Sequence, residues 1–443
     1  MTTLLNTSTS LCPECLKVIN AEVIVSKGRV YIEKSCPLHG QFSAPHPWSD
    51  PRHYKVLVKL SEGVNDFIAD GLVINLNSIC NQHCPFCFAR ANESQIEEPS
   101  IEEIVKKVSG FPGTIIYLSG GEPTLRADIA EIIKAIKLFK RYRVFLFTNG
   151  KRLTDKAFVC KLKESGVDLV ILQFDTFDNA QSLLLRGEQL TEIKLDSLAN
   201  LKMAKIPVYL FVMLLKGVNT DQIERLIDFA SRNSGYIKLL NFNPVWRMGR
   251  FRQHDEFDAS SILIEIENIL GCADEEFFNN TIFSYYLFKI LKRLLKKKGN
   301  QHPKCEMRCY MVLHKNKFVL LGRICDIERV GIYLEKINSC LDSRLYYRGL
   351  RIALSLFCFL LKEFLSKKAL RAVVFKNVRI LLKTKFNLLD MEMISIIVGT
   401  FHNNLNIDLN FVKTCNLFSD YPGKTRYYNS SCIRQLVMTN DIK

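Results

Sequence analysis

Between about residues 70 and 250, short apolar runs alternate with amphipathic stretches whose apolar residues recur every three or four positions. The apolar runs have the length and composition of buried β-strands, and their alternation with helices predicts a parallel sheet. Six such units are too few for a complete eight-stranded barrel, so we predict an α/β fold with a partial, open (βα)6 barrel. The predicted strands cover residues 72–77, 114–118, 143–148, 168–174, 207–214 and 237–242.

The two flanking regions have different patterns. Residues 1–52 contain two short cysteine clusters around an alternating stretch that turns at Lys27–Gly28, which predicts a β-hairpin in a small metal-binding domain. Residues 53–254 form the predicted barrel. Residues 255–443 are less regular and very basic, and we expect a largely helical carboxyl-terminal domain.

Composition narrows the possible partners and the redox setting. Hydrophobic residues make up 48% of the 443 residues, which excludes wholesale disorder. The net charge of +16 points to an anionic partner such as nucleic acid, a membrane surface or a phosphorylated substrate. Residues 1–11 do not resemble a secretory signal, and the apolar run 352–361 is too short to span a membrane. We therefore expect a cytoplasmic protein whose fifteen cysteines stay reduced.

Three of these cysteines stand immediately after the first predicted strand. Cys80, Cys84 and Cys87 have the spacing C-x3-C-x2-C, at the end of the barrel where functional groups gather. Three thiolates can hold three irons of a [4Fe–4S] cluster and leave the fourth iron open to a cofactor or substrate. The alternative is a structural zinc knuckle with a distant fourth ligand.

A second motif follows the second predicted strand. Gly120 and Gly121 allow close approach of the backbone to a ligand, Glu122 offers a carboxylate to an ammonium group, and Pro123 stiffens the turn. Together with the three cysteines, this turn resembles the radical S-adenosylmethionine (SAM) superfamily. The resemblance implies that the open iron and the turn bind the amino acid part of SAM. It also implies that one electron from the cluster cleaves SAM to a 5′-deoxyadenosyl radical, which abstracts hydrogen from an unactivated C–H bond.

Polar residues after the later strands extend the resemblance. Asn149 follows strand three, Gln173 and Asp175 follow strand four, and Asn243 and Arg247 follow strand six. The resemblance implies that they line the rim of the SAM pocket. Each could equally be an ordinary helix cap or turn residue.

The amino-terminal cysteines predict a separate metal site. Cys12 and Cys15 form one pair, and Cys36 and His39 form a second pair with the same x2 spacing. Two such knuckles joined by a hairpin are typical of a tetrahedral rubredoxin- or zinc-ribbon-like site. Three thiolates and an imidazole suit zinc, and a mononuclear iron is also possible. We expect a structural role, because the segment is too small to fold well alone.

Late cysteines indicate a further cluster, since the superfamily commonly carries auxiliary [4Fe–4S] clusters in such extensions. The preferred ligands are Cys305, Cys309, Cys415 and Cys432. A second full cluster would also need Cys272, Cys325, Cys340 and Cys358. We expect Cys358 instead to be a small buried hydrophobe, because it lies within an apolar helical run.

The combination of ribbon, core and late cysteines resembles the archaeal tetraether lipid synthase group and its bacterial homologues, members of which were earlier described as dihydropterin methyltransferases. The resemblance implies hydrogen abstraction from a membrane lipid chain, with C–C bond formation as one outcome, and an electron donor of the ferredoxin or flavodoxin type. The alternatives are a radical SAM methyltransferase acting on a pterin-like or other small molecule, and a non-catalytic iron–sulfur electron carrier or metal-stapled binding module.

Two basic amphipathic segments, 284–298 and 348–385, fit contact with an anionic membrane at the inner face of the cell. The alternative is a solvated charged face on a core-packed helix. Nucleic acid is not an expected partner, because no RNA-binding module is recognised.

Overall fold

The computed structural model describes residues 2–61, 70–93, 97–245, 249–251, 257–272, 274–294, 305–383, 391–403, 405–409, 417–420 and 427–428. The chain begins with an antiparallel four-stranded sheet in the order β1-β2-β3-β4. Its strands are β1 (Thr3–Leu11), β2 (Val18–Ser26), β3 (Arg29–Cys36) and β4 (Gly40–Pro45). The predicted hairpin is confirmed, because β2 and β3 pair up to the turn at Lys27–Gly28.

The centre of the molecule is a run of six parallel strands that pair in chain order. They are β5 (Gly71–Asn75), β6 (Ile115–Ser119), β7 (Arg143–Thr148), β8 (Leu169–Gln173), β9 (Val208–Leu214) and β10 (Ile237–Pro244). All six coincide with predicted strands. Their almost continuous apolar character fits burial on both faces, which parallel sheets require. The partial, open (βα)6 barrel predicted from the alternation is confirmed.

Helices cover the sheet and form the carboxyl-terminal region. The first seven are α1 (Pro51–Ser61), α2 (Ile101–Ser109), α3 (Ile129–Lys137), α4 (Lys156–Ser165), α5 (Asn179–Arg186), α6 (Thr191–Met203) and α7 (Ile223–Arg232). The later ones are α8 (Ala259–Leu270), α9 (Asp274–Leu294), α10 (Ile327–Asp342), α11 (Tyr346–Ser366) and α12 (Lys368–Lys383). Within the described ranges, no helix is both long and apolar enough to cross a bilayer.

The carboxyl-terminal region also adds strands to both edges of the central sheet, which sequence reasoning missed. These are β11 (Glu306–His314), β12 (Lys317–Leu320), β13 (Met393–Gly399), β14 (Leu417–Asp420) and β15 (Tyr427–Tyr428). Strand β13 pairs in parallel with β10, and β14 pairs in parallel with β5, so the sheet has eleven strands. The helical part of the prediction holds for α8–α12, but the region is continuous with the barrel.

The amino-terminal sheet packs on the barrel. Val23, Val30 and Ile32 belong to the same buried apolar cluster as the barrel strands. The guanidinium of Arg29 forms an ion pair with Asp258 at 3.2 Å. Leu11, next to the first metal-ligand cysteine, joins a smaller apolar cluster with residues from the carboxyl end of the barrel. The ribbon is therefore placed beside the end where the sequence predicts the active site.

Candidate active site

The loop after β5 carries Cys80, Cys84 and Cys87. Cys84 is buried and the other two are half-buried. Asn92 fixes the start of the loop, since its side chain accepts from the Cys80 N–H at 2.8 Å and donates to the Cys80 carbonyl at 2.9 Å. The protein itself therefore shapes the loop that presents the three thiols.

The Gly120–Gly121 turn after β6 lies against the first residues of this loop. The Gly121 N–H donates to the Asn77 carbonyl at 2.9 Å, and the Glu122 N–H donates to the Ile79 carbonyl at 2.8 Å. Gly120 has a φ of +144°, which side chains rarely adopt. A Cβ on Gly121 would lie 2.6 Å from the Ile79 carbonyl carbon. Glycine is therefore needed to clamp the turn onto the cysteine loop.

The Glu122 carboxylate is buried and accepts four hydrogen bonds. It accepts from the Thr124 N–H at 3.1 Å and hydroxyl at 2.6 Å, from the Thr148 hydroxyl at 2.8 Å, and from the Asn149 N–H at 2.7 Å. It thereby ties the turn, and the short 3-10 helix beginning at Pro123, to the end of β7. Three of these bonds go to Oε1 and one to Oε2, so Oε2 keeps an acceptor site. Glu122 thus positions the turn, and its contact with an ammonium group stays a prediction.

Asn149 reaches the cysteine loop, and its predicted place at the rim of a SAM pocket stays a prediction. Its side-chain N–H₂ lies 3.9 Å from the Cys80 sulfur and donates to Asn81 at 2.7 Å. The main-chain carbonyl of Asn149 accepts from Lys194, a buried lysine that also donates to the side-chain amide oxygen of Gln173 at 2.8 Å. Burial lowers the pKa of Lys194 to about 7, although nearby carboxylates oppose the shift. Gln173 is thus linked to the loop through a lysine that sequence reasoning missed.

Asp175 forms an ion pair with Arg186, a residue that sequence reasoning also missed. The two side chains form a buried bidentate pair at 2.7 and 3.0 Å. Arg186 lies 3.7 Å from the Cys84 sulfur and 4.7 Å above the ring centre of Phe86. Burial by itself would lower the pKa of Arg186, but the Asp175 carboxylate and the Cys84 sulfur outweigh burial and raise it. A fixed positive charge therefore stands beside one thiol of the cluster loop.

The segment after β10 braces the same loop from the other side. The Arg250 N–H donates to the Cys87 carbonyl at 3.1 Å, and its guanidinium donates to the Cys84 carbonyl at 3.2 Å. A Cβ on Gly249 would lie 2.5 Å from the Phe88 Cα. This Gly-Arg pair follows shortly after the predicted residues Asn243 and Arg247, and sequence reasoning did not single it out.

Of those two predicted residues, Asn243 lies at the end of β10. Its buried amide donates to the Asn241 carbonyl at 3.1 Å, within its own strand. Arg247 lies outside the described residues.

The cysteine loop has the chemistry of a cluster site. Burial raises the pKa of Cys80 to about 11, and the charge of Glu122 and the neighbouring Cys84 and Cys87 add to the shift. Three thiolates here need compensating positive charge, which the irons of a [4Fe–4S] cluster provide. Asn149 and Arg186 supply N–H donors near two of the sulfurs. The residues present therefore fit a cluster held by three cysteines.

The four predicted ligands of the amino-terminal site come together. The ligand atoms of Cys12, Cys15, Cys36 and His39 all lie within 4.8 Å of one another. The Cys15 and Cys36 sulfurs are 3.9 Å apart, close to the roughly 3.8 Å edge of a tetrahedron with zinc–sulfur bonds of about 2.3 Å. The backbone N–H of Leu38 and the His39 ring together lower the pKa of Cys36 to about 6, which favours a thiolate ligand.

The carboxyl-terminal cysteines are placed less favourably for an auxiliary cluster. Cys309 lies in β11 within the main apolar core, where burial raises its pKa well above the usual value. Cys305 stands just before β11, and an extended chain would place the two Cα atoms about 13 Å apart. This arrangement weighs against their sharing one cluster. Cys415 and Cys432 lie outside the described residues, so the auxiliary cluster stays a prediction.

The remaining cysteines are distributed differently from one another. Cys325 and Cys340 are buried, and Cys272 is half-buried. Cys358 is exposed, so its predicted burial is wrong. It lies on a face of α11 that points away from the helix's packing partners.

Comparison with known proteins identifies the class. Residues 74–230 match the family model of the radical SAM superfamily, and residues 4–46 match that of the HMPTM N-terminal zinc ribbon domain. This chain therefore contains a radical SAM domain and an amino-terminal zinc ribbon, as the two cysteine motifs predicted. The electron carrier hypothesis is set aside.

A more specific similarity runs along most of the chain. Over 376 residues, this chain is 29% identical to the 7,8-dihydro-6-hydroxymethylpterin dimethyltransferase of Methanocaldococcus jannaschii. The match covers 76% of this chain and 74% of that relative. Its core is 31% identical over 179 residues to a probable GTP 3′,8-cyclase of Thermoplasma volcanium, covering 39% of this chain and 54% of that protein.

Among solved structures, Streptococcus suis SuiB bound to S-adenosylmethionine has a TM-score of 0.41 and 21% identity, covering 48% of this chain and 50% of SuiB. Methylornithine synthase (PylB) has a TM-score of 0.38 and 16% identity, covering 49% of this chain and 67% of that chain.

Proposed function

We propose that this enzyme abstracts hydrogen from an unactivated C–H bond of a membrane lipid chain. The observation that carries the radical chemistry is the clamp of the Gly120–Gly121 turn on the loop of Cys80, Cys84 and Cys87. When bound, the cluster and SAM would supply a 5′-deoxyadenosyl radical for that abstraction. Coupling of two carbon centres would form a C–C bond, and methyl transfer is the alternative outcome.

The chain's own residues position and shield this site. The three cysteines would hold the cluster, and the turn would hold the amino acid part of SAM. Asn149 and Arg186 place N–H donors beside the sulfurs, where hydrogen bonds and charge tune a cluster's reduction potential. The ribbon packs beside the barrel's open end through Leu11, where it would help to exclude water.

The lipid assignment is supported by the carboxyl-terminal helices. Helices α11 and α12 combine exposed large apolar residues with many cations, which a soluble small substrate would not require. We place the enzyme in the cytoplasm at the inner face of the membrane, served by an electron donor of the ferredoxin or flavodoxin type.

A second candidate is methylation of a pterin-like small molecule. It is favoured by the similarity to a protein named as a dihydropterin dimethyltransferase over three-quarters of each chain. Both candidates use the same cysteine loop and glycine turn, so only the substrate distinguishes them.

The experiment uses anaerobically reconstituted protein, dithionite and SAM. We expect 5′-deoxyadenosine from the wild type and none from Cys84→Ala, and failure of the wild type would refute the radical chemistry. Membrane lipids from deuterium-grown cells are then added. Deuterium appearing in 5′-deoxyadenosine supports a lipid substrate. Its absence, with methylated product formed from a supplied dihydropterin, supports the second candidate.

A further inference from the structure

Helix α11 carries a long apolar stripe that faces away from the protein. Six residues spaced three or four apart make up this stripe, and each is 44–88% exposed: Tyr347, Leu350, Leu354, Phe357, Leu361 and Leu365. That spacing places them on one helical face, over about 27 Å at 1.5 Å per residue. Contiguous exposed apolar surface of this length is rare on proteins and marks an interaction site.

The opposite side of α11 fixes the helix to the protein. Gly349 and Leu356 are buried, and the Phe359 ring lies 6.0 Å from the Tyr333 ring of α10. Leu356 belongs to an apolar cluster that includes residues of α9 and α10. The stripe is therefore presented by a helix that is already packed, and its exposure is a consequence of that packing.

Exposed cations flank the stripe. Arg348, Arg351 and Lys362 are exposed, and within the described parts of the chain none of them forms an ion pair with a carboxylate. Between residues 344 and 385 there are eleven Lys or Arg and a single acid, Glu363, which pairs with Lys367 at 2.6 Å. Helical spacing puts Arg351 and Lys362 along one border of the stripe.

These observations favour one kind of binding partner for the apolar stripe. We propose that the stripe of α11 docks on the surface of an anionic lipid bilayer, with the helix lying in the interface plane. An apolar face bordered by cations is the pattern of interfacial helices, whose cations meet lipid phosphates. A second copy of the chain would bring two cationic faces together, which like-charge repulsion opposes. The docking surface is separate from the cysteine loop, so its test does not depend on the proposed chemistry.

The test is flotation of the full-length protein with vesicles of phosphatidylcholine, alone or containing phosphatidylglycerol. We expect binding to the anionic vesicles, and at least about a tenfold loss of affinity for the double variant Leu354→Glu, Phe357→Glu. The matched control is Leu138→Glu with Met203→Glu, which places the same two charges at residues 83% and 62% exposed outside α11. Arg351→Ala with Lys362→Ala should weaken binding and reduce its salt dependence.

A second readout uses Phe357→Trp, whose fluorescence should be quenched by brominated acyl chains if the stripe enters the interface. Equal binding by the double variant and the control, or no quenching of this tryptophan, would overturn the proposal. So would equal binding to neutral vesicles, or a dimer that the double variant dissociates, since the latter would make a second copy the occupant.

Discussion

Replacement of Gly121 by alanine tests the contact that joins the two motifs of the active site. The added Cβ would lie 2.6 Å from the Ile79 carbonyl carbon, whereas ordinary contacts begin at 3.4 Å. One backbone segment must therefore move by about 0.8 Å, because a main-chain carbonyl cannot rotate aside as a flexible side chain can. Overpacking of this kind costs about 1–3 kcal/mol of unfolding free energy.

The larger effect is expected on activity. Ile79 directly precedes Cys80, so the displacement moves the first cluster ligand and strains the Glu122 N–H bond to Ile79. A misplacement of about 1 Å at a reacting centre can cost about 100-fold in rate. We expect Gly121→Ala to bind less iron and to form 5′-deoxyadenosine about 100-fold more slowly.

The assay measures iron per chain, the urea midpoint, and 5′-deoxyadenosine formed under dithionite, all under anaerobic conditions. Gly110→Ala and Gly235→Ala are matched controls, because a Cβ at either position meets nothing within 4 Å. If Gly121→Ala matched these controls in iron content and rate, the idea that the turn clamps the cysteine loop would be refuted.

Three further predictions concern buried charge and the ribbon. Arg186→Met should lower the unfolding free energy by about 3–5 kcal/mol, because it leaves the Asp175 carboxylate buried without its partner. Adding Asp175→Asn should restore part of the lost stability. Urea unfolding measures both variants, and equal stability of all three proteins would contradict the pairing. Lys194 has a folded pKa of about 7, well below its ordinary value near 10.4, so the unfolded chain binds the extra proton between these two pH values. The stability of the wild type relative to Lys194→Met should therefore rise with pH in this window, by at most about 1.4 kcal/mol per pH unit. Urea unfolding at the two ends of the window checks the sign. Cys36→Ser should lose the ribbon metal and make residues 2–46 the first site of limited proteolysis. Substitution of the exposed Cys160 by serine should change neither the metal content nor the proteolysis. Unchanged metal content of Cys36→Ser by mass spectrometry would exclude the site.

Sequence patterns located the chemistry well because the relevant signals are local. The three cysteines span eight consecutive residues in the loop after β5, and the glycine turn follows β6 directly. Parallel strands bring their carboxyl ends to the same edge, so two motifs that each follow a strand must become neighbours. The same reasoning holds for the ribbon, where a hairpin returns Cys36 to Cys12.

Roles within the site depended on contacts between distant segments. Glu122 is expected from the sequence to contact an ammonium group, but its neighbours in the chain do not reveal that it also accepts from Thr148 and Asn149 at the end of β7. Arg186 is an ordinary helix-end residue in the sequence, and only the fold places it between Asp175 and Cys84. The hydrogen-bond partners of a side chain cannot be predicted from the residues next to it in the sequence when those partners come from distant segments.

The sequence by itself therefore determined the barrel strands, the cluster loop, the glycine turn and the metal ribbon, because periodicity and ligand spacing are written over a few consecutive residues. Only the tertiary structure decided that β13 extends the sheet and that α11 turns an apolar face to solvent. An apolar run has the same composition whether it is covered or exposed. For this reason Cys358 was predicted to be buried, whereas it is exposed in the structure. Which face meets a partner is decided by long-range packing, since burial depends on what the rest of the chain brings to that surface.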